Sequence, residues 1–317
     1  MKKILVTRKL INSSEELAKK LFEVKLNKED RILSKQELIR ASEGCDAILS
    51  SITEKFDSNL ISNLSEKIKI ISNFAVGFGN IDIEAAKKKN IVVTNTPDVL
   101  TDATAEIAIL ILLGAARRAR EGAQWAEKKN WKWSADFFMG KQLTGSRLGI
   151  LGMGRIGRAV AEKARAFGMK IHYYNRSRLN KNLEKDATYH KSLESLLSVS
   201  DFFSINCPAT KETKHIINKN TIEYFPDGAV VSNSARGDMI DDDAMVKALK
   251  SEKIFSLGLD VYNGEPNIHP EYLTLPNVFV LPHLGSSTIK TRTAMANLAI
   301  SNIEEFFKTG ECKNKVN

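Results

Sequence analysis

Arg147-Leu-Gly-Ile-Leu-Gly-Met-Gly-Arg-Ile-Gly157 is the stretch that decides the fold of this chain. It is an apolar strand, a tight glycine turn and the start of a helix, a pattern typical of a dinucleotide cradle. Gly152 permits the sharp turn, Gly154 lets the backbone approach a pyrophosphate, and Gly157 allows the helix to pack closely on the strand. The stretch lies near the middle of 317 residues, so a further domain is expected ahead of it.

The residues around the glycines support this interpretation, which matters because a bare GxGxxG also occurs in structural glycine turns. Residues 148–151 form a short apolar run, and apolar residues then recur at helical spacing until Gly168 stops the helix. A second strand is predicted at 170–174. The context therefore indicates strand, turn, helix and strand in the order that a Rossmann domain requires.

The end of that second strand predicts the preferred cofactor. An acidic residue about 20 positions beyond the glycines normally binds the ribose hydroxyls of NAD. This chain instead has Asn175, Arg176, Ser177 and Arg178. No carboxylate in the loop repels a 2′-phosphate, and two guanidinium groups with a hydroxyl could bind it. We predict that NADP(H) is preferred and NAD(H) possible, the alternative being an ordinary basic loop.

The composition bounds the class of protein. A chain of 317 residues, 43% hydrophobic and 27% charged, is long enough for two globular domains. The N-terminus has no signal-peptide pattern and the most apolar stretch, 107–116, is too short to cross a bilayer, so no membrane partner is expected. Cys45, Cys207 and Cys312 are widely separated, which predicts a cytoplasmic location and no metal site.

The formal net charge of +9 raises the possibility of a nucleic-acid partner. The basic residues are nevertheless scattered among acidic ones and form only two dense runs, 87–89 and 117–120. Each run lies near the end of a predicted helix, where cations complement the backbone dipole. Nucleic-acid binding is therefore not predicted.

Alternating strands and helices predict an α/β protein with two domains. The smaller, flavodoxin-like domain has expected strands at 4–7, 47–51, 68–74 and 91–94 and helices at 14–22, 57–64 and 81–89. A long helix from about 104 to 127 leads to a doubly wound parallel Rossmann sheet of six to seven strands, six of them predicted at 148–151, 170–174, 202–206, 229–233, 255–259 and 278–281.

After the last strand a single helical segment is predicted at about 287–307, with no further strand to cover. We expect this helix to pack back on the first domain, which makes that domain discontinuous in sequence. The predicted division is a substrate domain of residues 1–98 and 288–317, and a dinucleotide-binding domain of residues 99–287.

Three polar residues follow three successive strands of the predicted nucleotide domain. Arg236, Glu265 and His283 come after the strands at 229–233, 255–259 and 278–281. Ligands of open α/β sheets bind outside the carboxyl ends of the strands. A fixed guanidinium can hold a carboxylate and polarise a carbonyl, a histidine can deliver a proton near neutral pH, and a carboxylate can orient that histidine.

Purely structural roles for these residues stay open at this point. An arginine after a strand is often structural, and Glu265 could simply cap the loop before Pro266. The other histidines are poorer candidates because His172 lies inside a predicted strand and the remaining three lie beside helices or in a polar loop; these are His190, His215 and His269.

The chain resembles the D-isomer-specific 2-hydroxyacid dehydrogenase family over nearly its whole length. The shared motifs occur in the family's order, which is more specific than any one of them. They are Thr7-Arg-Lys, Asn73-Phe-Ala-Val-Gly-Phe-Gly-Asn-Ile-Asp82, Gly152-Met-Gly-Arg-Ile-Gly157, Asn206-Cys-Pro-Ala-Thr-Lys-Glu-Thr213, Ala235-Arg-Gly237, Asp260-Val-Tyr-Asn-Gly-Glu-Pro266 and Pro282-His-Leu-Gly-Ser-Ser-Thr288.

The resemblance implies roles that agree with the chemistry argued above. Arg236 is assigned to the substrate carboxylate and carbonyl, His283 to acid–base catalysis and Glu265 to the histidine. Backbone N–H groups of Val76 and Gly77 are implied to hold the carboxylate. Ser51, Thr53 and Phe78 are plausible walls of the pocket. With the glycines and the loop after the second strand, the expected cofactor contacts are Thr104, Gly152, Gly154, Arg155, Ile156, Gly157, Asn175, Arg176, Ser177, Arg178, Cys207, Pro208, Thr213, Ala235, Asp260 and Gly285.

Within the family, Thr7-Arg-Lys, the basic loop and Cys207-Pro are most similar to the glyoxylate and hydroxypyruvate reductases. The chain departs from the family at Gly79 and Asn206, where polar or acidic residues and histidine, respectively, are common. Residues 131–139 resemble the family's dimer loop, whose aromatic side chains can reach a neighbouring active site. The alternative is that these side chains bury a helix end.

The expected protein is thus a cytoplasmic, homodimeric enzyme that reduces a small 2-oxo acid, glyoxylate or hydroxypyruvate, with a nicotinamide cofactor. Two alternatives are kept. One is a phosphoglycerate or D-lactate type dehydrogenase, and the other is a dinucleotide-sensing corepressor on the same fold. The presence of all three reactive residues favours an enzyme, although fold likeness alone does not decide it.

Overall fold

The chain forms two parallel β-sheets, one of five strands and one of seven. The computed structural model describes residues 1–129 and 131–317, and these divide into two units. Unit 1 is Met1–Leu100 with Ser286–Asn317, and unit 2 is Thr101–Gly285. Parallel strands need crossover connections, which are mostly helical here and cover the sheets. The predicted class, a doubly wound Rossmann sheet plus a smaller α/β domain, is confirmed.

Unit 1 has the strand order β2-β1-β3-β4-β5. Its strands are β1 Lys3–Val6, β2 Glu23–Leu26, β3 Ala47–Ser51, β4 Ile70–Phe74 and β5 Val92–Thr94. Its helices are α1 Asn12–Leu21, α2 Lys35–Ser42, α3 Ser58–Ser62, α4 Ile83–Lys88 and the C-terminal helix Ile289–Thr309.

Both faces of the unit 1 sheet are buried. One core joins the central strands to α2, α3 and α4 through residues such as Leu38, Leu60 and Ala86. The other joins them to α1 and the C-terminal helix through residues such as Ala18 and Ile300. The C-terminal helix therefore packs on the sheet formed by the first hundred residues.

Unit 2 has the strand order β12-β11-β10-β9-β6-β7-β8. Its strands are β6 Arg147–Leu151, β7 Lys170–Tyr174, β8 Thr188–His190, β9 Phe202–Ile205, β10 Ala229–Asn233, β11 Ile254–Leu259 and β12 Val278–Val280. Its helices are α5 Thr101–Ala116, α6 Ala119–Lys128, α7 Arg155–Ala166, α8 Lys181–Glu184, α9 Leu193–Leu197, α10 Lys219–Ile222, α11 Asp242–Lys250 and α12 Pro270–Thr274, with a 3₁₀ turn at Gly237–Met239.

The chain order reverses between β6 and β9 in this sheet. That reversal is the topological switch point where open α/β sheets bind ligands. Helix α7 starts at this point because Gly154 ends the glycine turn, and it buries Val160, Ala161 and Ala164 against the sheet. The glycine turn and the carboxyl ends of the strands consequently lie on one edge of unit 2.

Several features differ from the sequence expectation. The segment expected as one helix from about 104 to 127 is two helices, α5 and α6, because Arg118 adopts a left-handed conformation with φ of 52°. Its guanidinium pairs with Glu121 at 2.9 Å and lies 4.7 Å from the centre of the Phe138 ring. No glycine or proline marks this break in the sequence. Strand β2 and helix α2 were also not expected, and the seventh strand of the sheet predicted to have six to seven, β8, was not located. Strands β2 and β8 are both short, half-polar edge strands.

Among the described residues, no helix combines the length and the apolar character that a bilayer crossing requires. Helix α5 is apolar nearly all round, and most of its residues are buried inside unit 2. Leu110 is an exception, with 46% of its surface exposed.

Candidate active site

The glycine turn after β6 can be built only from glycines at two of its three positions. Gly152 has φ of +93°, and a Cβ there would lie 2.5 Å from the backbone nitrogen of Cys207. A Cβ on Gly157 would lie 2.1 Å from the carbonyl oxygen of Gly152. A Cβ on Gly154 would meet nothing within 4 Å. Gly152 and Gly157 are required by packing, whereas Gly154 faces open space.

That open space fits a dinucleotide pyrophosphate. Gly154 is the N-cap of α7 and has no side chain to bond the free N–H groups of the first turn. These N–H groups and the helix dipole suit an anion. At the end of β9, the buried Oδ1 of Asn206 has no hydrogen-bond partner among the described residues. Such an orphan acceptor suits a hydroxyl donor of a bound ligand.

The loop after β7 is attached to the glycine turn. The Oδ1 of Asn175 accepts a hydrogen bond of 2.7 Å from the backbone N–H of Met153. Arg176 and Ser177 are exposed. Asn175 thus occupies the place of the usual acidic residue and fixes the start of the loop, while the two residues after it face solvent.

Arg178 does not lie free in this loop. Its Nε and Nη2 donate to the carboxylate of Glu184 at 2.9–3.2 Å, and Tyr173 donates its hydroxyl to the same carboxylate at 2.8 Å. Glu184 is 4% exposed. The Arg178 hydrogen bond outweighs burial and lowers the pKa of Glu184. Glu184 lies in a short polar helix, and no sequence pattern marks it as a partner of Arg178.

At the carboxyl ends of β11 and β12 the structure brings Glu265 and His283 together. The Nδ1 of His283 lies 2.7 Å from Oε2 of Glu265, and the Oε1 accepts a hydrogen bond of 2.9 Å from the Tyr262 backbone. Burial opposes ionisation, but the His283 contact and nearby charges hold the pKa of Glu265 below its ordinary value. Since Nδ1 is engaged, Nε2 is the nitrogen left to meet a ligand.

Arg236 follows β10 in the same unit. Its Nη1 donates 2.6 Å to the Ala235 carbonyl, and its own carbonyl accepts 2.7 Å from the side chain of Asn233. Burial lowers the pKa of the guanidinium, although the charges of Glu265 and Asp238 oppose this. The positive charge of Arg236 in turn favours the ionised form of Glu265. Asn233, buried at the end of the strand, is a supporting residue that the sequence analysis missed.

Hydrogen bonds with Asp260 and Thr104 hold the turn after His283. Asp260 is buried, and its two oxygens accept hydrogen bonds from the backbone N–H groups of Leu284 at 2.6 Å and Gly285 at 2.9 Å. Thr104 donates its hydroxyl to the Gly285 carbonyl at 3.0 Å. Burial raises the pKa of the Asp260 carboxyl. Three of the expected cofactor contacts are therefore bonded to one another and fix the backbone next to His283.

The remaining expected cofactor contacts of unit 2 lie near the glycine turn or the strand ends. Cys207 packs on the turn, and burial raises the pKa of its thiol to about 11. Thr213 donates its hydroxyl to the Pro208 carbonyl at 3.0 Å and so closes the loop after β9. Ala235 donates its N–H to Asn233 at 2.9 Å. Ile156 packs partly on the core of the unit.

The other histidines have different surroundings. His172 and His190 bond each other across β7 and β8 at 3.0 Å, and burial lowers the pKa of both. His269 lies 3.4 Å from Asp243. No group of three potential metal ligands occurs among the residues that the structure describes.

In unit 1, Val76 and Gly77 lie in the loop after β4 and are half-buried. Phe78 follows them and is 38% exposed. Ser51 and Thr53 lie at the end of β3, where the buried Glu54 accepts hydrogen bonds from the Ser51 N–H at 3.0 Å and the Thr53 hydroxyl at 2.7 Å. These residues are thus at the carboxyl edge of the unit 1 sheet.

The segment 131–139 has a part that packs on a helix and a part that is exposed. Phe137 and Phe138 pack edge-on against Trp125 of α6, with ring centres 6.3 and 6.1 Å from it. Trp131, Trp133 and Met139 are exposed, Trp133 by 81% of its surface. Part of the segment therefore covers a helix, and part presents apolar side chains to solvent.

The chain is similar to a known family and to individual proteins. Residues 109–285 match the model of the D-isomer specific 2-hydroxyacid dehydrogenase NAD-binding domain. A glycerate dehydrogenase from Hyphomicrobium methylovorum is 41% identical, with 96% of each chain covered. A glyoxylate reductase from Thermococcus litoralis is 40% identical, covering 99% of this chain and 96% of that protein.

Solved structures agree. A glyoxylate reductase from Paecilomyes thermophila superposes with a TM-score of 0.90 at 35% identity, covering 99% of this chain and 98% of the other. An NADPH-dependent glyoxylate/hydroxypyruvate reductase from Sinorhizobium meliloti, solved with NADP and malonate, gives 0.89 at 32% identity over 99% and 96%. The glycine turn and the full-length similarity lead to one conclusion: this chain belongs to the D-isomer specific 2-hydroxyacid dehydrogenase family.

Proposed function

We propose that this protein reduces a small 2-oxo acid, glyoxylate or hydroxypyruvate, to the corresponding 2-hydroxy acid with NAD(P)H. The relatives at 41% and 40% identity are named for glycerate and glyoxylate chemistry. They favour this activity over the phosphoglycerate, D-lactate and corepressor alternatives. The observation that carries the proposal is the 2.7 Å contact between His283 and Glu265 in the unit that also holds Arg236 and the glycine turn.

His283 is the proton donor in this proposal. Its Nδ1 faces Glu265, which fixes the ring and stabilises the imidazolium form, and Nε2 gives the proton to the carbonyl oxygen. Arg236 binds the substrate carboxylate and polarises the carbonyl with its planar donors. Backbone N–H groups of Val76 and Gly77 hold the same carboxylate. The bound nicotinamide supplies the hydride that reduces the carbonyl carbon.

Unit 2 is the proposed dinucleotide-binding domain, and unit 1 the substrate domain, with the expected bounds 99–287 and 1–98 with 288–317. The glycine turn and the α7 N-terminus would hold the pyrophosphate. Asp260 and Ala235 would meet the nicotinamide amide, and Thr104 would face the cofactor from α5. Arg155, Ile156, Cys207, Pro208, Thr213 and Gly285 complete the proposed contacts.

We infer a preference for NADPH over NADH. The loop from Asn175 to Arg178 contains no carboxylate, and the carboxylate of Glu184 that contacts Arg178 is buried and paired with its guanidinium. The exposed Arg176 and Ser177 are therefore available to a 2′-phosphate. The Sinorhizobium meliloti relative that was solved with NADP supports the same choice.

A homodimer in the cytoplasm is part of the proposal. The exposed Trp131, Trp133 and Met139, together with Leu110 of α5, offer apolar surface that a second copy would cover. Residues 131–139 could then reach the active site of that copy. Cys45, Cys207 and Cys312 are all free thiols, which suits a reducing compartment.

The test is a rate assay across glyoxylate, hydroxypyruvate, pyruvate and longer 2-oxo acids with each cofactor, repeated on His283→Asn. His283 has φ of 56°, and asparagine tolerates that conformation, so the substitution removes the proton donor with little backbone strain. His215 has φ of 48°, and His215→Asn is the matched control.

We expect the two short substrates to be preferred, NADPH to be the better reductant, and His283→Asn to lower kcat by at least about 100-fold. His215→Asn should retain parental turnover. A His283→Asn enzyme that reduces glyoxylate at the parental rate would refute the proposed role. A parental enzyme that binds NADPH but reduces none of the acids would favour the corepressor alternative.

A further inference from the structure

Three successive carbonyl groups in the loop after β4 are held by donors from the body of unit 1. The Ala75 carbonyl accepts a hydrogen bond of 2.9 Å from the Thr96 N–H. The Val76 carbonyl accepts one of 2.8 Å from Nδ2 of Asn95, and the Gly77 carbonyl one of 2.9 Å from Nδ2 of Asn73. Each of three consecutive peptide planes is therefore fixed by a hydrogen bond to its carbonyl.

Fixing a carbonyl also fixes the N–H at the other end of its peptide unit. In a planar trans peptide the N–H points opposite to the carbonyl. The three bonded carbonyls therefore direct the N–H groups of Val76, Gly77 and Phe78 away from Thr96, Asn95 and Asn73. None of these N–H groups donates a hydrogen bond to any part of the chain that the structure describes. Backbone N–H groups need a partner, and a run of successive free ones suits an anion.

The two asparagines are themselves immobilised. Asn73 is fully buried, and its Oδ1 accepts a hydrogen bond of 3.2 Å from the Ser50 hydroxyl. Asn95 is 8% exposed, and its carbonyl accepts one of 3.0 Å from the side chain of Asn302. These contacts determine which amide atom of Asn73 faces the loop and hold the backbone of Asn95.

An amide is the chemically suitable group at both positions. An aspartate has the same shape but presents an acceptor, which would repel the carbonyl that it faces. Its charge would also repel an anion bound to the adjacent N–H groups. A lysine or arginine would attract the anion directly and compete with the N–H groups. A neutral donor orients the backbone without adding charge of its own.

We propose that Asn95 and Asn73 are positioning residues that turn the N–H groups of Val76, Gly77 and Phe78 into a three-donor cradle for the substrate carboxylate. This inference rests on the proposed function and extends it in two ways. It adds the Phe78 N–H as a third donor. It also names the side chains that orient the N–H groups of Gly77 and Phe78, while the Thr96 N–H orients that of Val76.

The decisive probe is oxalate, a nonreacting dicarboxylate, titrated into the isotopically labelled protein with bound NADPH. In the parent protein we expect the amide resonances of Val76, Gly77 and Phe78 to shift with a common affinity. In Asn95→Asp the affinity for oxalate should fall about tenfold or more. The KM for glyoxylate should rise in parallel with a smaller change in kcat, because the carboxylate is held equally in ground and transition states.

Two further variants keep the result interpretable. Asn95→Ala removes the donor without adding charge, and serves if the buried aspartate prevents folding. Asn277 donates its amide to the carbonyls of Leu249 and Phe255 in unit 2, so Asn277→Asp is the matched control. The control should lose stability but keep the parental KM. In Asn95→Asp, acidification toward pH 5 should partly restore oxalate affinity relative to the parent, because a protonated aspartate regains a donor.

The outcomes separate this inference from the proposed function. Oxalate shifts at the three amides in a protein that reduces no 2-oxo acid would refute the function and leave the cradle intact. Turnover of glyoxylate without any oxalate shift at these amides would refute the cradle. Equal oxalate affinity in the parent, Asn95→Asp and Asn95→Ala would show that Asn95 positions nothing.

Discussion

The loop after β4 in unit 1 and the strand ends of unit 2 are built on different principles. In unit 1 the groups that we propose to face a ligand are backbone N–H groups, and neutral amides bond the carbonyls of their peptide units. In unit 2 they are charged side chains, and other charges orient them, as Glu265 does for His283. Both regions lie at the carboxyl edge of a parallel sheet, so the difference is one of chemistry rather than of topology.

This difference suggests how the two regions respond to pH. Amides and backbone N–H groups do not titrate between about pH 4 and pH 9. The contacts of Glu265 and Glu184 depend on ionised carboxylates. Holding of the substrate carboxylate by unit 1 is therefore expected to be steady, whereas the functions of unit 2 are expected to titrate.

The largest expected effect is that of Arg236→Lys. A lysine retains the charge but lacks the planar pair of donors that can bind a carboxylate and a carbonyl together. A hydrogen bond to a charged group contributes about 1.5–3 kcal/mol, so the loss of one of the two should lower kcat/KM for glyoxylate by about 100-fold. Steady-state kinetics with NADPH measure it.

The control for this variant is Arg120→Lys. Arg120 also makes several hydrogen bonds through its guanidinium, to the carbonyls of Tyr272, Leu273 and Val278, and takes no part in the proposed chemistry. It should lower the free energy of unfolding and leave kcat/KM near the parental value. An Arg236→Lys enzyme with parental kcat/KM would mean that charge alone suffices at this strand end.

A second prediction concerns the backbone surface of unit 2, the glycine turn. In Gly154→Ala the added methyl meets nothing within 4 Å, so folding should be unaffected. If a pyrophosphate occupies that space, NADPH should bind about 30-fold more weakly, equivalent to about 2 kcal/mol. Fluorescence titration of NADPH and urea unfolding measure the two quantities.

Gly157→Ala is the contrasting variant. Its methyl would lie 2.1 Å from the Gly152 carbonyl oxygen, so it should lower the free energy of unfolding by about 1–3 kcal/mol. A Gly154→Ala protein with parental NADPH affinity would place the pyrophosphate elsewhere. The glycine turn of unit 2 would then not be a ligand-binding backbone surface like the one proposed for the loop after β4 in unit 1.

Whether a strand could be predicted from the sequence depended on its place in the sheet. Continuous apolar runs predicted the buried strands β6, β9 and β10, because strands covered on both faces must be apolar throughout. Strands β2 and β8 alternate polar and apolar residues over three or four positions and lie at sheet edges, so their pattern was too short to register. The break at Arg118 involves a contact with the Phe138 ring, which a local sequence pattern does not reveal.

The site shows the same limit. Arg236, Glu265 and His283 could be proposed because each bears a reactive side chain after a predicted strand. Asn73 and Asn95 act through the carbonyls of other residues, and asparagines near strand ends read as ordinary turn formers. Glu184 escaped notice because the contact that gives it meaning, with Arg178, depends on the folded loop.

The third prediction tests whether charge orients the unit 2 site. Both oxygens of Glu265 accept hydrogen bonds, one from Tyr262 and one at His283, and a glutamine can accept with only one. Glu265→Gln should therefore lower kcat for glyoxylate reduction about tenfold at pH 8. The loss should be smaller at pH 6, where the imidazolium form needs less support, and a pH–rate profile measures it.

Asn95→Ala provides the opposite pattern for this test. If amides hold the unit 1 loop, its increase in KM should be the same at pH 6 and pH 8. A Glu265→Gln enzyme whose rate loss is also independent of pH would show that the carboxylate acts only as a spacer, and the contrast between the two regions would disappear.

The smallest expected effect is that of Glu184→Gln on stability. A glutamine oxygen can still accept from Tyr173, but its amide faces a donor of Arg178, and the charge-assisted contact is lost. Because the Arg178 side chain is 62% exposed, solvent screens much of the pair, and the free energy of unfolding should fall only slightly at pH 7. Glu127→Gln, at an exposed position of α6, should change it little.

The pH dependence of this loss follows from the direction of the shift. The pKa of Glu184 is lowered in the folded protein, so the native state binds fewer protons than the unfolded chain near the ordinary carboxyl pKa. The stabilisation is complete above about pH 5 and is lost as pH falls through the lowered pKa. Urea unfolding of parent and variant should differ by a constant amount from about pH 7 to about pH 5, and the difference should shrink as the pH falls further through the lowered pKa of Glu184. A difference that does not shrink in acid would mean that shape rather than charge holds Arg178, in which case this loop would be built like unit 1.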